Sequence, residues 1–206
     1  MPWHVVFGNH DLVGVQPPEG AGQLAEPRAV FREVFGLERT WRRLELGGHS
    51  FFLLDTVEVL EDRSHYRGIC PPAQLAWLRE ELAATAPEHP LVLVSHIPLR
   101  TTALQVSDGV FEPLKYNLAV ANAGELLGLF AGHNLRAVLQ GHLHVNETIR
   151  FNGLPFVMGG AGCGRWWKGP RLGTEEGFGV MTFPANGPSG WQYHDIGWDV
   201  PATAGA

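Results

Sequence analysis

Leu91-Val-Leu-Val-Ser-His-Ile-Pro98 is an apolar run that stops at a histidine and a proline. Four apolar residues in succession, with no polar alternation, describe a strand buried on both faces, the kind found inside a parallel sheet. Upstream, residues 71–86 place Leu75, Leu78 and Leu82 on one stripe, with Arg79, Glu80 and Glu81 outside it, which predicts a helix. Downstream, residues 122–130 predict a second helix. Asn122 and Glu125 stand at capping-box spacing, and Gly132 stops the run. The next strand, residues 136–140, ends at Gly141-His142-Leu143-His144. Helices alternating with buried strands make an α/β architecture.

Further out, Val5-Val6-Phe7 reads as a short strand broken by Gly8, and residues 15–22 as a loop rich in Pro and Gly. Residues 27–36 predict a helix with Pro27 in its first turn and Gly36 at its end. Residues 41–46 and 51–55, separated by Gly47-Gly48, predict a hairpin. After His144 the pattern changes to short strands at 147–151, 155–158, 177–183 and 191–195. The expectation is one layered domain over residues 1–200, with mixed sheets, and a frayed tail over 201–206.

A net charge of -6 on 206 residues, with scattered Lys and Arg, argues against a nucleic-acid footprint. The apolar runs are strand-sized, too short to span a membrane. Cys70 and Cys163 lack CxxC spacing; free thiols are favoured over a single disulfide. No signal peptide is visible, so the default expectation is a cytoplasmic protein, altered if a targeting segment stands upstream of Met1.

Three polar clusters close three apolar runs: Asn9-His10-Asp11, His96, and His142 with His144. Open α/β sheets bind ligands at the carboxyl ends of their strands. Imidazole suits Zn, Mn and Fe, and amide oxygen suits harder cations. On an extended segment His142 and His144 would point the same way and serve two metals, which lie roughly 3.5–4 Å apart in two-metal hydrolases. Each cluster alone has a plain alternative: a turn for Gly8–Asp11, a hydrogen-bonded histidine at 96, a chance HxH at 142–144. Other zinc hydrolases also use HxH, but they give Asn9-His10-Asp11 no role.

VVFGNHD (5–11), LVLVSHIPL (91–99) and VLQGHLH (138–144) together resemble the later signature motifs of the calcineurin-like metallophosphoesterases, over residues 5–183. The resemblance implies two mixed β-sheets flanked by helices in α/β/β/α layers. It also implies a dinuclear centre of Mn, Fe or Zn that hydrolyses a phosphomonoester or phosphodiester, a small-molecule or nucleotide ester. Asn9, His96 and His142 would hold one metal and His144 the other. His10 would be general acid or phosphate stabiliser, with Asp11 fixing its tautomer. The family's opening D-x-H and G-D-x-x-D motifs have no counterpart here. The expectation is therefore an N-terminally truncated domain without its first strands, two unpaired interior sheet edges, and reduced or no activity. The alternative function is a non-catalytic remnant serving as a binding module. Arg100, Tyr66, Arg67, Asn117, Arg165 and Lys168 lie in loops that could rim the cleft, and Trp166-Trp167 either wall the substrate pocket or cap the core.

Overall fold

A computed structural model of the chain describes residues 3–12, 26–60, 65–184 and 187–201. The loop expected at 15–22 and positions 202–206 of the expected tail lie outside the described residues. In chain order the elements are a single 3-10 turn (Asn9–Asp11), α1 (Pro27–Phe35), β1 (Arg42–Leu46), β2 (His49–Leu54), β3 (Val57–Val59), β4 (Tyr66–Gly68) and α2 (Pro72–Ala83). They continue with β5 (Leu91–Ser95), α3 (Ala103–Ser107), α4 (Ala123–Gly128), β6 (Leu135–Gln140), β7 (Asn146–Phe151), β8 (Leu154–Gly159), β9 (Gly177–Thr182) and β10 (Gly190–Asp195).

Six strands make one mixed sheet in the order β1-β2-β5-β6-β8-β7. β2, β5, β6 and β8 run parallel, and β1 and β7 close the two sides antiparallel. The parallel strands are the apolar ones, and Leu91, Val92, Leu93 and Val138 are fully buried. Phe52 packs between Trp77 of α2 and Phe130 beyond α4, at 5.9 and 5.8 Å between ring centroids. Burying one such side chain contributes about 2–3 kcal/mol. The neighbouring Phe51 meets Phe183, just past β9, at 5.8 Å. The antiparallel β9–β10 hairpin is thus a second, smaller sheet docked against the first. The α/β class, with sheets flanked by helices, is the one expected.

Local signals explain the helix ends. The Glu26 carboxylate accepts the Arg28 and Ala29 amides at the start of α1, Pro27 occupies the first position, and Gly36 ends it at φ +63°. α2 buries Leu75, Leu78 and Leu82 as the stripe required. The capping box at Asn122 does not form. The Asn122 amide instead pairs with Cys70, accepting its N–H and donating to its C=O, both at 2.9 Å, while Glu125 pairs with Arg79.

Residues 5–7 also depart from expectation. They join no strand; Phe7 is buried edge-on against Phe31 at 5.1 Å, and the Val5 carbonyl accepts the Arg42 guanidinium at 2.8 Å. The six-stranded sheet is hydrogen-bonded continuously from β1 to β7, and among the described residues β9 and β10 pair only with each other.

Two more amides act as Asn122 does. Gln74 accepts from Asp55 N–H at 2.9 Å and donates to Asp55 C=O at 2.8 Å. Gln140 accepts from Leu99 N–H at 3.0 Å and donates to Arg100 C=O. Each side chain satisfies at least one backbone donor and one acceptor, as a strand partner would, where the chain leaves the sheet, and Gln140 also accepts from Arg100 N–H at 3.4 Å.

Candidate active site

Because β2, β5, β6 and β8 are parallel, their carboxyl ends share one side of the sheet. That side carries Asp55, His96, the Gly141–His144 turn and the Gly-rich loop 159–164.

Asp55, at the end of β2, is spent on structure. Its carboxylate accepts from Arg28 Nε at 2.7 Å, Thr40 Oγ1 at 2.8 Å and Val57 N–H at 3.1 Å. At β5 and β6 the arrangement is different. Asn9 Oδ1 lies 2.7 Å from His96 Nε2 and 3.2 Å from His142 Nδ1, and the two rings are 5.1 Å apart. Gly8 permits this approach: a Cβ there would stand 3.1 Å from the His96 ring.

The tautomer of His142 follows from its other nitrogen. Nε2–H donates to the Asn117 carbonyl at 3.0 Å, so the neutral ring turns the Nδ1 lone pair toward Asn9. Burial, with repulsion from the neighbouring imidazoles, pushes His96 down to about 3 and His142 down to about 4. Both are neutral at pH 7. Two uncharged imidazoles and an amide oxygen therefore converge on one point, a donor set that fits a borderline dication. Among the described residues, no cluster of three or more His, Cys, Asp or Glu side chains is built to hold a metal.

His142 and His144 both adopt left-handed backbone, at φ +75° and +59°. The expected extended segment is instead a tight turn, with Leu143 N–H bonded to Gly141 C=O at 2.9 Å. Left-handed φ at a non-glycine residue costs on the order of 1–2 kcal/mol. The two rings also have different neighbours. His144 donates Nδ1–H to the Gly164 carbonyl at 2.6 Å, which leaves Nε2 as its lone pair, and its ring lies 4.9 Å from that of Trp166.

His10 is exposed on the 3-10 turn beside Asn9. Asp11 does not turn to it: Asp11 Oδ2 accepts the Gly8 amide at 2.8 Å and closes its own turn. Tyr66 stands edge-on to His142 at 6.2 Å with its phenol pushed up by burial, and the Asn117 carbonyl accepts from His142. Those two rim residues reach the cluster. Arg100 lies back on the Leu99 carbonyl, Arg67 pairs with Glu58, and Arg165 bonds the Lys168 carbonyl on an exposed turn. Both cysteines are free. Cys70 is buried and its thiol is pushed up to about 12, while Cys163 Sγ lies 4.0 Å from His144 Nδ1.

One buried group escaped the sequence reading. Glu176 is fully buried, neither carboxylate oxygen has a hydrogen-bond partner among the described residues, and the side chain lies against the backbone of Gly164. In Thr174-Glu-Glu-Gly177 it reads as one of two surface acids, and no local signal separates it from Glu175.

A model of the calcineurin-like phosphoesterases matches residues 1–146, and the chain belongs to that family. Curated relatives include the tartrate-resistant acid phosphatase type 5 of Sus scrofa, 28% identical over 177 residues that cover 79% of this chain and 47% of the relative. The serine/threonine-protein phosphatase CPPED1 of Rattus norvegicus is 30% identical over 170 residues, covering 79% and 48% respectively. A probable cyclic nucleotide phosphodiesterase of Rhodococcus erythropolis is 29% identical over 99 residues, covering 48% and 30%. The chain spans about half the length of the acid and serine/threonine phosphatases it matches, and less of the phosphodiesterase. No helix among the described residues is long and apolar enough to cross a membrane.

Proposed function

We propose that this chain hydrolyses a phosphomonoester or phosphodiester with the help of a divalent cation held by Asn9 Oδ1, His96 Nε2 and His142 Nδ1. The observation that carries the reading is the convergence of those three uncharged donors at the carboxyl ends of parallel strands. A dication bound there supplies Lewis-acid stabilisation of charge on the phosphoryl oxygens and an activated water. The residues do the rest. Asn117 holds the His142 tautomer, Gly8 lets Asn9 and His96 meet, and the exposed His10 imidazole would give its proton to the departing alkoxide. His144 offers Nε2 to a second cation, as the dinuclear arrangement requires. With one described donor, that second ion should bind more weakly than the first.

Metal stoichiometry and turnover test this together. The protein is equilibrated with Mn, Fe(II) or Zn, bound metal is counted by dialysis, and hydrolysis of 4-nitrophenyl phosphate and bis(4-nitrophenyl) phosphate is followed. The reading expects at least one ion per chain and turnover that disappears in His96→Ala. It fails if no ion binds, or if His96→Ala and His142→Ala turn over like the parent. The donor set holds no carboxylate among the described residues, which favours a second reading: a binder of phosphate esters without turnover. Metal and phosphonate binding with no hydrolysis of either ester would select it.

A further inference from the structure

The Gly-rich loop runs into Arg165-Trp166-Trp167-Lys168, and both tryptophans sit at left-handed backbone, φ +54° and +62°. Neither residue adopts that conformation without cost, and nothing about a surface turn demands two indoles in it. The turn is nevertheless held from several sides. Trp167 N–H bonds Cys163 C=O at 2.7 Å, Arg165 N–H bonds Gly169 C=O at 3.0 Å, and Lys168 N–H bonds Arg165 C=O at 3.1 Å. Trp167 is pinned edge-on against Trp198 at 5.1 Å. Trp166 is left with its ring 4.9 Å from His144, tilted 36°, and 52% of its surface exposed.

An indole that only capped the core would be buried. One that only decorated the surface would need neither a strained backbone nor a histidine of the site as its neighbour. We propose that Trp166 is a specificity residue: its exposed surface receives a flat aromatic substituent of the phosphoester while the phosphoryl group sits at the Asn9–His96–His142 cluster. The substrate class is then esters of phenols or nucleosides rather than of small aliphatic alcohols. This rests on the phosphoester reading above. Tyr66, edge-on to His142, makes a second aromatic wall at the cluster.

Calorimetric titration of the Mn- or Zn-loaded protein with phenylphosphonate, methylphosphonate and thymidine 5′-phosphate separates the outcomes, because none of the three needs to be turned over. Phenylphosphonate should bind roughly tenfold more tightly than methylphosphonate, the size of one aromatic stacking contact. Trp166→Ala should erase that ratio and leave methylphosphonate unchanged, while Trp166→Phe should keep part of it, with thermal unfolding of both variants near the parent's. Thymidine 5′-phosphate binding at least as well as phenylphosphonate marks a nucleoside site. Binding weaker than phenylphosphonate but tighter than methylphosphonate marks a smaller aryl site. The proposal is overturned if Trp166→Ala leaves the ratio intact, or weakens all three ligands equally as loss of structure would. If no phosphonate binds and no ester is hydrolysed, the phosphoester reading itself has failed, and this inference with it.

Discussion

Among the carboxamide side chains near the carboxyl ends of the parallel strands, Gln74, Asn122 and Gln140 contrast with Asn9. Gln74 and Asn122 each accept one backbone N–H and Gln140 accepts two, and all three donate to a backbone C=O, so both ends of the amide are used. The described contacts of the Asn9 amide all fall on Oδ1, and they are two imidazole nitrogens rather than backbone. A buried polar group is normally matched, because leaving it unmatched costs about 1–3 kcal/mol. The three clamps obey that rule and hold the loops. At Asn9 two neutral imidazoles crowd one oxygen, and His142 aims a lone pair at it. The difference separates scaffold from candidate site: the clamps are closed onto backbone, and the Asn9 cluster is where the proposed cation would bind.

The largest effect should come from the open side. His142→Ala or Asn9→Leu should lower divalent-metal affinity at least about 100-fold, beyond what losing a supporting partner of a ligand costs. Both should still fold, as far-ultraviolet circular dichroism would show. Equilibrium dialysis decides it, and unchanged affinity would erase the distinction between Asn9 and the clamps. The closed side should respond the other way. Gln74→Leu strands the Asp55 N–H and C=O and should cost roughly 2–4 kcal/mol by urea denaturation, while metal affinity of the folded fraction stays near the parent's. A loss of affinity with no loss of stability would make Gln74 part of the site.

Acid should sharpen the contrast. His96 and His142 are held down to about 3 and about 4 from an ordinary 6.5, so below pH 6.5 the unfolded chain binds protons that the native state refuses. Their contribution is fully present above about pH 6.5 and is lost as pH falls toward 4 and then 3, with a slope of at most about 3 kcal/mol per pH unit for the pair. Metal-free protein unfolded in urea at pH 7, 6 and 5 should show this fall, and His96→Ala should flatten part of it. A parent profile flat over that range would mean the imidazoles are not buried neutral. The smallest effect is expected at Glu125. Its partner is the exposed Arg79, so Glu125→Ala should cost under about 0.5 kcal/mol, measured by thermal unfolding. A cost above about 1 kcal/mol would restore the capping box that Asn122 gave up to clamp Cys70.

The elements were legible where burial has a local period. The continuous run at 91–94, the leucine stripe of α2 and the Pro27 and Gly36 boundaries of α1 each produced the element expected. The failures share a cause. Asn122 looks like a cap because capping is local, but its partner lies 52 residues away. Val5-Val6-Phe7 has strand composition, yet a strand needs a neighbouring strand, and among the described residues this segment meets side chains instead, those of Arg42, Phe31 and Arg28. His142 and His144 read as an extended segment because the pattern follows a strand, but both adopt left-handed backbone.

By itself the sequence determined the α/β class and the placing of an asparagine and three histidines immediately after apolar runs, because burial and strand ends are written in short windows. Only the tertiary structure decided that Asn9 meets His96 across 87 residues and His142 across 133, which nitrogen of His142 and of His144 is left free, and that Asp55 at the neighbouring strand end is closed by Arg28. Those outcomes depend on a parallel sheet gathering its carboxyl ends on one side and on the turn angles beyond them, and neither is set by nearest neighbours in the chain.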